Sequence, residues 1–345
     1  MRLIMIGTGP FGVPTFEELY RTHHSVVCLV TAPLVRRGKP VPPSPLREIA
    51  LAHGTPIFDP EDINAPSSRE FLASQDADLL VVCDYGQILA PETLATARLG
   101  GINLHASLLP KYRGAAPINW AIYHGEKTTG VSVIHMTPQV DAGPIIAQGE
   151  IEILPDETAP QLEQRLAKLG AWFVRRALDN LEAGLLEALP QDPRQASRAP
   201  RLKKSDGLVD WTRPADAIRN QVRAMEPWPK TFTYWHRPDK PPLQIILGPV
   251  STTSEIPAEA QPGTVVRADK SGIVVAAGQG GVVITQLQPA GKRMMSADEF
   301  LRGYRLQPGD RFGPPEEPSK LTPSAGSENT AQHTVEVDEG RSEVT

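Results

Sequence analysis

Residues 77–108, ADLLVVCDYGQILAPETLATARLGGINLHASL, decide the fold. The run from Leu79 to Cys83 is apolar at every position, so a strand there is buried on both faces. Strands of that kind belong to parallel sheets covered by helices on each side. A helix is predicted after Pro91 and a second strand from Gly101. The same alternation extends in both directions. Upstream lie RLIMIG (2–7), an amphipathic FEELYRTHH (16–24), SVVCLVTAP (25–33), PSPLREIALAHG (43–54), a short TPIF (55–58) and a helical stretch around SREFLASQ (68–75). Downstream come a helix near APINWAIYHG (116–125) and a strand TGVSVIHM (129–136). This βαβ rhythm predicts an α/β fold, a doubly wound parallel sheet of Rossmann-like type.

From Ala159 to Ala183 apolar residues recur at helical spacing, and Pro190 to Pro200 then breaks into a polar, arginine-bearing stretch. Beyond it LQIILGPV, GTVVRAD, GIVVAAG and GVVITQLQPA (243–290) are short β-rich pieces with glycine turns, which predict a second, smaller β-barrel followed by a helix at SADEFLRGYR. The expected organisation is therefore a first domain over 1–189, a linker over 190–205, a second domain over 206–313 and an acidic, disordered tail over 314–345.

The chain has 345 residues, 40% apolar and 22% charged, enough to bury a sizeable core. Its net charge of −5 is carried by the tail, where seven acids face Lys320 and Arg341, so the body is neutral and can still hold a basic face. Cys28 and Cys83 stand far apart inside apolar runs, without CxxC spacing, and read as buried thiols rather than redox or zinc ligands. The start, MRLIMIGTGP, reads as a strand rather than a signal peptide, and no apolar stretch approaches the roughly 20 residues of a membrane helix. A cytoplasmic protein with no membrane contact is the expectation.

Gly7-Thr8-Gly9-Pro10-Phe11-Gly12 matches GxGxxG between a strand and a helix, the position of a dinucleotide fingerprint. That fingerprint also requires an acid at the end of the second strand, where this chain has Thr31, Ala32 and Pro33. Pro10 further removes a backbone N–H from the loop meant to cradle phosphate. The glycines therefore read as a tight strand-to-helix turn, and a nicotinamide cofactor is not expected.

Asn103 and His105 stand at i and i+2 of an apolar strand, so both project from one face. The carboxyl end of such a strand opens on the crevice where sheets of this kind bind ligands. An amide and an imidazole there can both donate to an oxygen that gains charge, which suits acyl transfer. Asp141, in the turn from Val140 to Pro144 after the next strand, is placed to orient His105. The same residues also read as ordinary polar groups at a strand end and a turn-forming aspartate.

The run NLHASLLPKYRGAAPI (103–118), with Asp141-Ala142-Gly143 after the next strand, resembles the signature of the formyltetrahydrofolate-dependent formyltransferase superfamily. The resemblance implies that Asn103, His105 and Asp141 form the catalytic set. It also implies that Ser107, Leu108, Leu109 and Pro110 line the folate site, that Tyr85 and Gly86 contact the pterin, and that 10-formyltetrahydrofolate is the formyl donor, with no metal. Three further stretches are similar to the methionyl-tRNA branch: Arg37-Gly38-Lys39 with Pro43-Ser44-Pro45, Met225 to Pro229, and Gln288 to Ala297. That branch implies methionyl initiator tRNA as acceptor and partner, a role in translation initiation, and an OB-like second domain that binds tRNA.

The implied tRNA-contacting residues are Arg36, Arg37 and Lys39 in the first loop, Lys203 and Lys204 in the linker, and Lys292 and Arg293 near the end, with Arg194, Arg198, Arg201, Arg302 and Arg305 as further candidates. An amino sugar or other small amine is the alternative acceptor; water as acceptor, or RNA binding without catalysis, would be different classes altogether. The chain departs from the family in a shortened loop, TAPLVRRGKP, and in Asp84, which replaces a small residue before Tyr85-Gly86. Trp228, between two prolines, reads as a packed turn anchor, and a monomer is expected.

Overall fold

Strand β1 (Arg2–Gly7) sends Leu3 and Met5 into one apolar cluster and Ile4 and Ile6 into another, since successive side chains on a strand point to opposite faces. All four are fully buried, so the sheet is covered on both sides. This is a computed structural model, and it describes residues 1–36, 39–40, 42–238 and 240–315. The expected tail beyond Pro315 lies outside the described residues.

After β1 come α1 (Val13–Leu19), β2 (Ser25–Val30), a small hairpin of β3 (Val35–Arg36) and β4 (Lys39–Pro40), α2 (Pro45–Ala52), β5 (Ile57–Phe58) and α3 (Pro66–Ser74). Next are β6 (Leu79–Cys83), α4 (Pro91–Leu94), β7 (Gly101–His105), α5 (Pro117–Tyr123), β8 (Thr128–His135), β9 (Ile145–Glu152) and the long α6 (Ala159–Glu182). The strands form one seven-stranded sheet in the order β5-β2-β1-β6-β7-β8-β9. From β5 to β7 every pair is parallel, as the βαβ rhythm predicts. The remaining two strands are not: β8 runs antiparallel to β7, and β9 to β8. An apolar strand pattern carries no sign of direction, so the sequence did not distinguish this mixed edge from an all-parallel sheet. Strand β9 itself was not expected, because its partly exposed IIAQGEIE has the weak apolar signal of an edge strand.

Helix α6 starts where the sequence provides a cap. Thr158 and Gln161 form a capping box and Pro160 sits in the first turn. Its buried stripe includes Leu162, Leu166, Val174 and Leu178, which join the cluster holding Leu3, Met5 and Leu104. Each such leucine contributes about 1.5–3 kcal/mol by leaving water. Cys28 and Cys83 are both buried and free, as expected, and burial pushes the Cys28 thiol up to about 12.

The second half holds α7 (Ala215–Ala224), β10 (Phe232–Arg237), β11 (Lys240–Leu247), β12 (Val250–Thr253), β13 (Val265–Asp269), β14 (Gly272–Ala276), β15 (Gly281–Ile284), β16 (Gln286–Pro289), β17 (Met295–Ser296), α8 (Ala297–Gly303) and β18 (Arg311–Gly313). They make two antiparallel sheets, β17-β16-β11-β10-β18 and β12-β15-β14-β13. Trp211, Trp235, Ile273, Phe300 and Phe312 belong to their shared core. Strand β10 escaped the sequence reading because FTYWHR mixes aromatic and polar residues without a clean alternation. Helix α7 meets α5, the helix that follows the 103–116 segment: Asn119 Nδ2 donates to the Ala224 carbonyl at 2.7 Å, and Arg213 to the Tyr123 hydroxyl at 2.6 Å.

Candidate active site

The carboxyl ends of β6 and β7 open on a cavity of about 850 Å³, within the range that holds a small-molecule ligand. Asn103 and His105 both line it, as their i, i+2 spacing requires, and Asp141 reaches it from the turn after β8. The three side chains meet. Asn103 Nδ2 donates to Asp141 Oδ1 at 3.3 Å, and His105 Nδ1 lies 3.6 Å from Asp141 Oδ2. The other imidazole nitrogen, Nε2, stands 2.9 Å from the Tyr112 carbonyl. A carbonyl only accepts, so Nε2 carries a proton and Nδ1 is the atom turned to Asp141. When Nδ1 is also protonated, the contact with Asp141 becomes an ion pair shielded from solvent, since both side chains are largely buried.

Asp141 has φ of 50°, in the left-handed region that non-glycine residues rarely occupy. Its Oδ2 accepts the Gly114 N–H at 2.9 Å. Gly114 has φ of 123°, and a Cβ there would lie 2.5 Å from the Ala199 carbonyl oxygen, so only glycine fits. Ala199 lies in the 190–205 stretch expected as a linker, and this stretch pairs with the loop: Arg113 N–H donates to the Ser197 carbonyl at 2.9 Å and Ala199 N–H to the Arg113 carbonyl at 2.7 Å.

Tyr85 and Gly86, expected at the pterin, line the cavity. Ser107, Leu108, Leu109 and Pro110 do not. Ser107 is fully buried, its carbonyl accepts from Ser132 Oγ at 2.7 Å, and Leu109 N–H donates to the same hydroxyl at 3.0 Å. Gln148 Nε2 completes the anchor on the Leu109 carbonyl at 3.0 Å. The turn therefore stands behind the wall and fixes Ala106, which does line the cavity. The primary sequence located this segment beside the site, but the direction of its side chains depends on β8 and β9.

Asp84, at the end of β6, faces the cavity together with Glu163 of α6. Asp84 is exposed to the cavity but enclosed by protein, and this desolvation raises its carboxyl above the usual range. Glu163 is also raised, by burial first and then by the Asp84 charge. Trp228 is 54% exposed and lines the cavity, so it is not the packed anchor its proline neighbours suggest. As for metal, His23, His24 and Glu182 are the group with suitably close ligand atoms among the described residues, and they are already engaged: His23 Nε2 with Glu182 Oε2 at 2.5 Å, and Glu182 Oε1 with the terminal amine at 3.0 Å.

Residues 1–178 match the family model for formyl transferase, and residues 201–305 match that for the formyl transferase C-terminal domain. The methionyl-tRNA formyltransferase of Rhodopirellula baltica is 44% identical over 327 residues, covering 90% of this chain and 96% of that protein. That of Methylacidiphilum infernorum is 41% identical over 323 residues, covering 92% and 99%. This chain belongs to the methionyl-tRNA formyltransferase family. Similar solved structures include an N-formyltransferase from Helicobacter canadensis in complex with folinic acid and dTDP-3-aminofucose, with TM-score 0.60 at 16% identity over 82% of this chain and 98% of that one. HypX from Aquifex aeolicus in complex with tetrahydrofolic acid has TM-score 0.58 at 16% identity over 87% of this chain and 47% of that one. At these identities the likeness is one of fold.

Of the family's implied tRNA-contacting residues, Arg37 lies outside the described residues, and of Arg36 only the backbone in β3 is described. Lys39, Lys203, Lys204 and Lys292 are exposed. Arg293 is exposed but ion-paired with Glu299. Arg201 lines the cavity itself. The sequence reading missed Gln191 and Glu163, because a glutamine in a polar linker and a glutamate on an amphipathic helix carry no mark of their neighbours.

Proposed function

We propose that this chain transfers the formyl group of 10-formyltetrahydrofolate to the amino group of methionyl initiator tRNA, the step that prepares the initiator for translation. The observation that carries the reading is the identity of about 40% to methionyl-tRNA formyltransferases over about nine-tenths of the chain, which favours a tRNA acceptor over an amino sugar. The convergence of Asn103, His105 and Asp141 on one cavity supports the chemistry.

The folate supplies an activated formyl group on N10. A cavity of this size with Tyr85 and Gly86 on its wall fits a pterin. The α-amino group of an aminoacyl ester has a pKa below the roughly 7.7–8.0 of an ordinary amino terminus, so a useful fraction is neutral near pH 7 without a strong base. As it attacks the formyl carbon, Asn103 Nδ2 donates to the developing oxyanion. His105, when Nδ1 carries a proton as well, shares that one proton between the oxyanion and Asp141 Oδ2, because Nε2 is committed to Tyr112. Asp141 holds that imidazole in place and receives the proton shed by the amine; as the tetrahedral intermediate collapses, the bond from the formyl carbon to N10 breaks, N10 takes up a proton and tetrahydrofolate leaves. Asp84 and Glu163, neither of them in a salt bridge among the described residues, present two carboxyl groups to the incoming amine.

On this reading the exposed lysines form the phosphate path, with the 206–313 region as the tRNA-binding unit, and Trp228 offers a face on which a terminal base stacks. A cytoplasmic monomer completes the proposal; no described helix is long and apolar enough to cross a membrane. Formyl transfer to methionyl initiator tRNA, with uncharged tRNA and acceptor-free controls, tests it. Formylmethionyl-tRNA supports the reading, whereas formate release alone, or transfer only to a small amine, removes it.

A further inference from the structure

Asp141 occupies a strained backbone position, and both ends of its hydrogen bond to Gly114 are held by the same stretch of linker. At one end Ala199 brackets Gly114, accepting the Ala116 N–H at 3.2 Å and donating to the Arg113 carbonyl at 2.7 Å. At the other, Gln191 Nε2 donates to the carbonyl of Asp141 at 2.9 Å and to that of Gly143 at 2.7 Å. A primary amide has two N–H groups, so it can serve both carbonyls at once. The Gln191 carbonyl oxygen in turn accepts from Arg113 Nε at 3.1 Å and from an Arg113 terminal nitrogen at 2.7 Å. With its oxygen held by the guanidinium and its nitrogen by two carbonyls, the amide is fixed at both ends.

We infer that Gln191, clamped by Arg113, is a positioning residue for Asp141, which makes the linker part of the catalytic apparatus rather than a tether between two halves. The inference rests on the assignment of Asp141 to the catalytic set. Among the described residues no other side chain bonds both carbonyls, so without the clamp the left-handed residue relaxes toward commoner backbone angles, carrying its carboxylate away from His105 Nδ1. Misplacing a catalytic group by about 1 Å costs on the order of a hundredfold in rate.

Gln191→Glu tests this with almost no change in size: it keeps the acceptor for Arg113 and sets an oxygen against two carbonyls. The expected result is a fall in kcat of about a hundredfold, with KM for folate and for acceptor within about threefold, and faster hydrogen exchange at the Gly114 amide. Arg113→Met, which keeps the side-chain length and leaves Gln191 in place, should lower kcat about tenfold by the same route, and the two changes together should be less than additive in free energy. Gln195→Ala, on the same linker but with its side chain bonded among the described residues to Asp192 alone, should match wild type. Wild-type kcat and unaltered Gly114 exchange in both Gln191→Glu and Arg113→Met would overturn the clamp. The exchange measurement needs no substrate, so it judges the clamp even if the wild type failed to formylate methionyl-tRNA, an outcome that would remove the functional reading instead.

Discussion

The carboxylate of Asp84 occupies the space where a side chain on Gly9 would stand: a Cβ there would lie 1.7 Å from Asp84 Oδ2. The backbone joins the same contact, with Thr8 N–H donating to the Asp84 carbonyl at 3.0 Å. The GxGxxG loop is thus shaped around the end of β6, and its middle glycine makes room for an acid rather than for phosphate. Gly9→Ala should displace the Asp84 carboxylate and destabilise the protein by about 1–3 kcal/mol, with most of the loss recovered in Gly9→Ala/Asp84→Ala. Denaturant titration measures both; an additive double variant would count against the contact.

Asp84 also predicts a pH dependence. Its carboxyl is raised by desolvation from the ordinary value of 3.8, so between that value and the higher folded one the native state binds more protons than the unfolded state. Stability contributed by this group is then present at low pH and is lost as pH rises through the folded pKa. Asp84→Asn should therefore raise the melting temperature at pH 7–8 and leave it unchanged near pH 3.5. Melting curves across that range decide the matter, and a gain confined to acid would reverse the sign.

His105→Ala and Asn103→Ala should each lower kcat about a hundred- to a thousandfold, the usual cost of an oxyanion donor. His105→Ala should also cost about 1–3 kcal/mol of stability, because the buried Tyr112 carbonyl loses its donor. Single-turnover formylation at saturating substrates isolates the chemical step. Wild-type rates in either variant would refute that residue's role.

Trp228→Ala should raise KM for methionyl-tRNA about tenfold, since base stacking on an aromatic ring is worth about 1–3 kcal/mol. The KM for folate should not change. An effect on folate alone would reassign the ring to the other substrate.

Lys203 and Lys204 are both exposed, and as phosphate contacts they should each contribute about one unit to the slope of log affinity against log salt. Binding of the double alanine variant to tRNA, measured across a salt series, should show that slope reduced by about two. An unchanged slope would move the phosphate path elsewhere.

The alternation of apolar strands with helices determined the layered α/β fold, because burial on both faces of a strand is written in every residue of LLVVC and in the LIMI of the first strand. The i, i+2 spacing of Asn103 and His105 determined that they share a face, since a strand has a period of two. In the second half, strands β11, β13, β14 and β15 were legible as glycine-bounded apolar runs. Strand direction was not legible, nor was the edge strand β9, because pairing is a relation between segments. Tertiary structure alone decided that Ser107 to Pro110 turn behind the cavity wall, that Trp228 is exposed, and that Asp84 meets Gly9. It also decided that Gln191, 50 residues from Asp141 in the chain, holds that residue's backbone. Local periodicity reports which side of its own element a residue faces; which distant group it meets there is fixed only when the elements pack.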